Sequence, residues 1–152
     1  MRIVIAAVGR LRRGPGLTLI ETYEKRITWP FEIRELQERR QSPPGGLIAA
    51  EASLLLQALP ESGPIIALDE RGDDLSSNAF ADQLSMWRDN GETACGFAIG
   101  GADGLHESVR SRASRVVRFG RQTWPHMLAR AMLVEQIYRA QQILAGHPYH
   151  RE

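Results

Sequence analysis

The sequence has little of what a covalently or metal-stapled architecture needs. Cys95 is its only cysteine, so no disulfide forms within the chain and no cysteine-rich zinc site can be built. That usage fits a reducing compartment, and a cytoplasmic protein is expected. No stretch approaches the roughly 20 consecutive apolar residues of a membrane span. The opening "MRIVIAAVGR" has a basic residue ahead of a short apolar run without a small-residue cleavage site, and reads as a strand, not a signal peptide. Lysine is almost missing: 18 of the 19 basic residues are arginine and the net charge is only +1. The gross basic signature of a nucleic-acid binder is therefore absent. Nor is a nucleotide loop complete. "GRLRRGPG" (9–16) spaces two glycines as a phosphate loop does, but lacks the Lys-Ser/Thr that follows, and Pro15 removes a backbone donor. "GGADG" (100–104) lacks dinucleotide spacing. Neither supports ATP or NAD.

What is present is a 152-residue chain with 43% hydrophobic and 24% charged residues, which suits one domain with its own core. Short apolar runs alternate with helical periodicities. Strands are predicted at 2–8, 31–36, 63–72, 94–101 and 114–119, and helices at about 17–27, 47–59, 76–91, 105–113 and 125–145. "FEIREL" (31–36) alternates apolar and charged residues, as a strand near a sheet edge does, and "QERRQSPPGG" (37–46) is turn-rich. Regular alternation of strand and helix predicts an α/β fold with a mainly parallel sheet. The last helix carries apolar residues around nearly its whole circumference, which predicts a subunit interface. Glu135 and Arg139 stand one turn apart in the favourable order, and pairing with each other is the simplest role for both.

Three loops follow predicted strands and could form one cleft, because open parallel sheets bind ligands at their carboxyl ends. Asp69 closes "IIALD", Gly100 and Gly101 follow "FAI", and "GRQTWPHML" (120–128) holds a stiff Trp124-Pro125 pair, with Pro125 suited to the first helical position. Taken alone, the glycines read more simply as an ordinary tight turn. The arginines are unevenly placed: residues 1–13 hold Arg2, Arg10, Arg12 and Arg13 with no acid. A local arginine face is compatible with RNA, although a GC-rich genome produces the same composition. The chain ends in "GHPYHRE" (146–152). His147 and His150 lack the further ligands of a metal site, so no metal is expected. Acid–base work by His150 and oxyanion contact by Arg151 are chemically sensible, and plain polar filler remains the simpler reading.

"FAIGGADGL" (97–105), "TWPHMLARAMLVEQIYRA" (123–140) and "AGHPYHRE" (145–152), supported by "AVG" and "ALDERGDDLSSNAFA" (67–81), resemble the ribosomal RNA large subunit methyltransferase H family over nearly the whole chain. The resemblance implies a single SPOUT-type domain with a C-terminal trefoil knot, acting as a homodimer. It implies S-adenosylmethionine as cofactor and, as substrate, N3 of a pseudouridine in 23S rRNA of the 70S ribosome or large subunit. Carried over motif by motif, the cofactor loops are Leu68 and Asp69, then Gly100 and Gly101, then Gly120, Arg121, Gln122, Thr123, Trp124 and Pro125. The tail residues Tyr149, His150 and Arg151 are the implied catalytic set, completing a neighbouring subunit's pocket. The chain departs from the family at Asp73, where lysine is usual, and in 28–46, where RNA contacts are left open. A non-catalytic RNA-binding module, or a SPOUT enzyme with another RNA target, are the competing readings.

Overall fold

The computed structural model describes residues 1–38 and 46–151. Most of the turn-rich 37–46 segment, and with it part of the question of RNA contacts in 28–46, lies outside the described residues, as does Glu152. The elements run β1 (Arg2–Val8), α1 (Pro15–Glu24), β2 (Phe31–Leu36), α2 (Gly46–Ala58), β3 (Ile65–Asp74), α3 (Ser77–Asp89), β4 (Ala94–Ile99), α4 (Glu107–Arg112), β5 (Arg115–Arg118) and α5 (His126–Leu144).

The five strands form one all-parallel sheet in the order β2-β1-β4-β3-β5. The alternating strand β2 takes an edge, where one flank needs no partner. The unbroken apolar strands β1 and β4 take the middle, where both faces are covered. Successive side chains point to opposite faces, and two cores result. Ile3, Ile5 and Ala7 join Cys95, Phe97 and Ile99 under α1, α3 and α5. Ala6, Val8, Ala67 and Ala98 face α2 and α4. On that second face Gly96 lets the end of α2 come close: a Cβ there would lie 2.8 Å from the Leu59 side chain and 2.9 Å from Pro60.

Boundaries moved where local geometry overrides periodicity. α1 starts two residues earlier than its apolar spacing predicts, because Pro15 fills the opening position that needs no N–H donor. It also stops at Glu24, although Ile27 still packs on the core. β3 runs past Asp69, its expected end. Both Leu68 and Asp73 pair with Val117 of β5, so Asp69–Gly72 bulge out before the strand resumes. Gly72 passes against the β5 backbone so closely that a Cβ would sit 2.5 Å from the Val117 nitrogen. Pro125 is the residue before α5 and not its first residue. Ser76 caps α3, accepting the Ala79 N–H at 3.1 Å.

Candidate active site

Since every strand points the same way, their carboxyl ends share one edge of the sheet, and a cleft of about 320 Å³ opens there. Its lining includes Leu68 and Asp69 at the bulge of β3, Gly100 and Gly101 after β4, and Gly120, Gln122, Thr123 and Trp124 after β5. Of the ten residues expected to hold cofactor, these eight meet in one concavity. Arg121 and Pro125 lie in the same exposed loop but are not part of its wall. Ile99, Val117 and Phe119 add apolar surface, and His126 with Ala129 bring the start of α5 into the wall.

Each loop has a local cause. A Cβ on Gly100 would lie 2.3 Å from the Gly104 carbonyl oxygen, and a Cβ on Gly101 would meet Val8 and the Glu51 carboxylate at 3.1 Å. These glycines keep the 100–104 turn tight, which is what leaves its backbone facing the cleft. Asp69 lines the cleft, yet its carboxylate serves the fold: only 4% exposed, it accepts the Arg71 N–H at 3.0 Å and the Arg110 guanidinium at 3.4 Å. Arg110 also donates to Glu107 and to the Leu105 carbonyl, so Asp69 helps to join the 69–72 bulge to the end of the glycine turn. Gly120 adopts φ +79°, and Trp124 folds back to donate its indole N–H to the Phe119 carbonyl at 2.6 Å, which closes the third loop on itself. Asp73, where a basic residue was expected, faces Arg115 at 3.8 Å on the surface.

Three residues near this edge were missed by sequence reasoning. Glu51 of α2 abuts Gly101, and burial together with Asp103 and Glu38 raises its carboxyl above the usual range. His126 lies against Gly9, where an added Cβ would be 3.2 Å from the imidazole Nε2. Arg130, one turn along α5, is fully buried. It donates to Glu35 at 2.7 Å and to the carbonyls of Val8 and Gly9 at 3.1 and 3.0 Å, locking α5 to the end of β1. Its position four and seven residues before the core residues Val134 and Ile137 was the available signal.

The tail is docked on its own chain. Tyr149 donates its hydroxyl to Glu135 at 3.0 Å, lies 3.3 Å from the Tyr23 hydroxyl, and stacks edge-on against Tyr138 at 4.8 Å. The Arg139 guanidinium sits over the Tyr149 ring at 4.8 Å, pairs with Glu135 at 2.6 Å and reaches His150 Nδ1 at 3.3 Å. Glu135 and Arg139 thus pair as expected and also hold the tail. Arg151 is exposed, and His147 accepts the Tyr149 N–H at 3.2 Å through Nδ1. None of these residues lines the chain's own cleft. Beside the tail runs an apolar groove of about 470 Å³ between α1, α3 and α5, in which Leu19 and Leu128 remain 43% and 42% exposed.

Comparison with known proteins agrees with this architecture. The family model described as "Predicted SPOUT methyltransferase" matches residues 1–150. The ribosomal RNA large subunit methyltransferase H of Rhodospirillum centenum is 54% identical over 151 residues, covering 99% of each chain. The fold is shared with TrmJ from Z. mobilis ZM4 at a TM-score of 0.55 and 11% identity, over 92% of this chain and 69% of that one. It is also shared with a Legionella pneumophila structure containing bound SAM, at a TM-score of 0.50 and 10% identity, over 92% and 66%. The chain belongs to the SPOUT methyltransferases and, within them, to the ribosomal RNA large subunit methyltransferase H family.

Proposed function

We propose that the protein transfers a methyl group from S-adenosylmethionine to N3 of a pseudouridine in 23S rRNA of the assembled ribosome, working as a homodimer in the cytoplasm with the knotted SPOUT topology of its family. The observation that carries this reading is the convergence of the β3 bulge and the loops after β4 and β5 on one cleft in a chain of this family. The residues present fit the cofactor: apolar walls from Leu68, Ile99, Val117 and Phe119 suit an adenine ring, and backbone exposed at 100–104 and 120–124 offers hydrogen bonds to its edge and ribose. Bound S-adenosylmethionine supplies an electrophilic methyl group together with its own leaving group.

The chain then has two tasks, which are to align N3 with that methyl group and to deal with the N3 proton. The imide N–H is weakly acidic, and a positioned base or an anion-stabilising donor is worth roughly 10²–10⁴-fold in rate. With Nδ1 accepting from Arg139, the neutral His150 ring carries its hydrogen on Nε2 and presents a donor there. In that state His150 suits a carbonyl or developing imide anion. To take the N3 proton itself it must release Arg139. Arg151, exposed beside it, is placed for phosphate, and Tyr149 anchors both.

Because the tail rests on α5 away from its own cleft, it serves the cleft of a second subunit, and the apolar groove next to it is the surface on which that subunit packs. Mass spectrometry of 23S rRNA with and without the gene tests the reaction: an unchanged pseudouridine methylation state sinks it. Mixed dimers test the shared site. Subunits lacking the last six residues, combined with subunits carrying Gly101→Val, recover activity if one tail serves the other cleft. No recovery refutes that arrangement.

A further inference from the structure

The β1–α1 loop, residues 9–14, has no part in the cofactor cleft or the tail, yet among the described residues it concentrates three unpaired arginines near the site. Arg10, Arg12 and Arg13 are exposed, and none makes an ion pair among the described residues. No acid precedes Glu21 in the sequence. Glu35 is the carboxylate tied to this loop, and its Oε1 is already committed to the Arg130 guanidinium at 2.7 Å and to the Leu11 N–H at 2.9 Å.

Those same bonds make the loop a held surface instead of a loose basic arm. Gly9 turns the chain at φ +88°, with its N–H donated to the Leu36 carbonyl at 2.8 Å. Its carbonyl is gripped by Arg130, and Leu11 packs against the core while its N–H is held by Glu35. The anchored residues 9 and 11 therefore alternate with the outward-facing arginines 10 and 12. The loop also leaves from the rim of the cleft, because Gly9 lies against His126, which lines it. A buried guanidinium thus fixes three free ones beside the place where the methyl acceptor must enter.

We infer that the 9–13 loop is an RNA-backbone clamp: Arg10, Arg12 and Arg13 contact phosphates of the strand flanking the target nucleotide, and Arg130 with Glu35 holds the loop in register with the cleft. This rests on the ribosomal RNA substrate proposed above. Guanidinium forks suit phosphate oxygens, and such contacts position the strand without reading its sequence. Overall charge near zero is compatible with it, since the clamp acts through a local patch on an already folded RNA surface.

The test is binding of the full-length protein to large ribosomal subunits and to a protein-free 23S rRNA fragment, measured over a range of salt. The variant is Arg10→Ala/Arg12→Ala/Arg13→Ala. The control is Arg2→Ala/Arg88→Ala/Arg112→Ala, an equal loss of exposed arginines at the opposite edge of the sheet. On single strands each phosphate contact adds about 0.7 to the slope of log affinity against log salt, so three contacts give about two units of slope and up to about a hundredfold at ~0.1 M salt. The loop variant is expected to lose that affinity and slope on both RNAs, the control to lose little, and calorimetric binding of S-adenosylmethionine to stay unchanged in both. Wild-type affinity and slope in the loop variant overturn the clamp, as does an equal loss in the control. A loss on subunits but not on the protein-free fragment also overturns it, by assigning the loop to a ribosomal protein. These isotherms decide the clamp whether or not a methyl mark is found, whereas absence of the mark counts against the reaction alone.

Discussion

Arg130→Met offers a direct measure of how much the edge of the site depends on one buried charge. The arginine is fully buried and has three acceptors, namely Glu35 and the carbonyls of Val8 and Gly9, while its Nε finds no partner. Burial pulls the guanidinium pKa down and Glu35 pulls it back up. Methionine fills most of the volume, so the cost comes from the acceptors left behind. Glu35 is 32% exposed and keeps the Leu11 N–H, so water and that bond recover part of its loss. The Val8 carbonyl is buried and recovers nothing. Unsatisfied buried acceptors cost about 1–3 kcal/mol each, which puts Arg130→Met near 2–3 kcal/mol. Glu35→Ala is worse, since it strands a buried cation without its counter-charge, about 3–5 kcal/mol. Glu35→Gln keeps an acceptor for both donors but also removes the counter-charge, so it should cost less than Glu35→Ala and still destabilise.

Glu35→Ala is therefore expected to destabilise more than either Arg130→Met or Glu35→Gln. Urea unfolding at fixed protein concentration measures it, and in a chain of this size about 3 kcal/mol corresponds to roughly 6–12 °C in melting temperature. The double variant Arg130→Met/Glu35→Ala should be less destabilised than the sum of its parts, because the second change removes the charge that the first strands. If Arg130→Met is neutral, or Glu35→Ala costs no more than Arg130→Met, the guanidinium is not the organising group and the reasoning fails.

Three other changes probe other parts of the fold. Gly72→Ala places a Cβ 2.5 Å from the Val117 nitrogen and 2.6 Å from the Val116 carbonyl carbon, both backbone, and should cost about 1–3 kcal/mol or more by denaturant unfolding. Gly16→Ala, with nothing within 4 Å and a helical position, should instead stabilise by about 0.5–1 kcal/mol. Tyr149→Phe keeps the ring but loses the hydroxyl bonds, and hydrogen exchange of residues 147–151 should quicken by an amount equivalent to about 1 kcal/mol. Burial, then the bonds to Tyr23 and Glu135, raise the Tyr149 phenol above its ordinary 10.0, so its contribution to tail docking is fully present below pH 10 and is lost as pH rises further. Phenolate absorbance, compared with the Phe variant, follows that titration. Cys95 is buried in the core beneath α3 and α5, its thiol pKa pushed up by desolvation, and should resist thiol reagents at neutral pH until the chain unfolds.

The strands were legible because burial on both faces writes itself as an unbroken apolar run, and the parallel sheet followed from their alternation with helices. The cleft was legible for a related reason: apolar runs that give way at Asp69, Gly100 and Gly120 mark where backbone comes free, and parallel strands bring such points together. Illegible were features that depend on a partner distant in sequence. Nothing local says that Asp69 will be held by Arg110, or that β3 will bulge at Asp69–Gly72 and pair with β5 again. Arg130 was hidden by its identity. An arginine in an apolar helix reads as a solvent-facing residue, and acceptors far off in sequence, Glu35 and the carbonyls of Val8 and Gly9, make its burial tenable.

The same helix carries the strongest structural argument for a site shared between subunits. Along α5, His126 lines the cleft, Arg130 holds the end of β1, and Glu135 with Arg139 hold the tail. At about 1.5 Å per residue, Glu135 and Arg139 lie roughly 13 and 20 Å along the axis from His126. A tail tied at that distance by a hydroxyl bond, a ring stack and a cation–π contact does not reach its own cleft without giving up all three. On the proposed mechanism, a tail docked on α5 through Tyr149 and His150 serves catalysis only if another chain's cleft comes to it. The exposed groove of Leu19 and Leu128 alongside is the surface that would bring it.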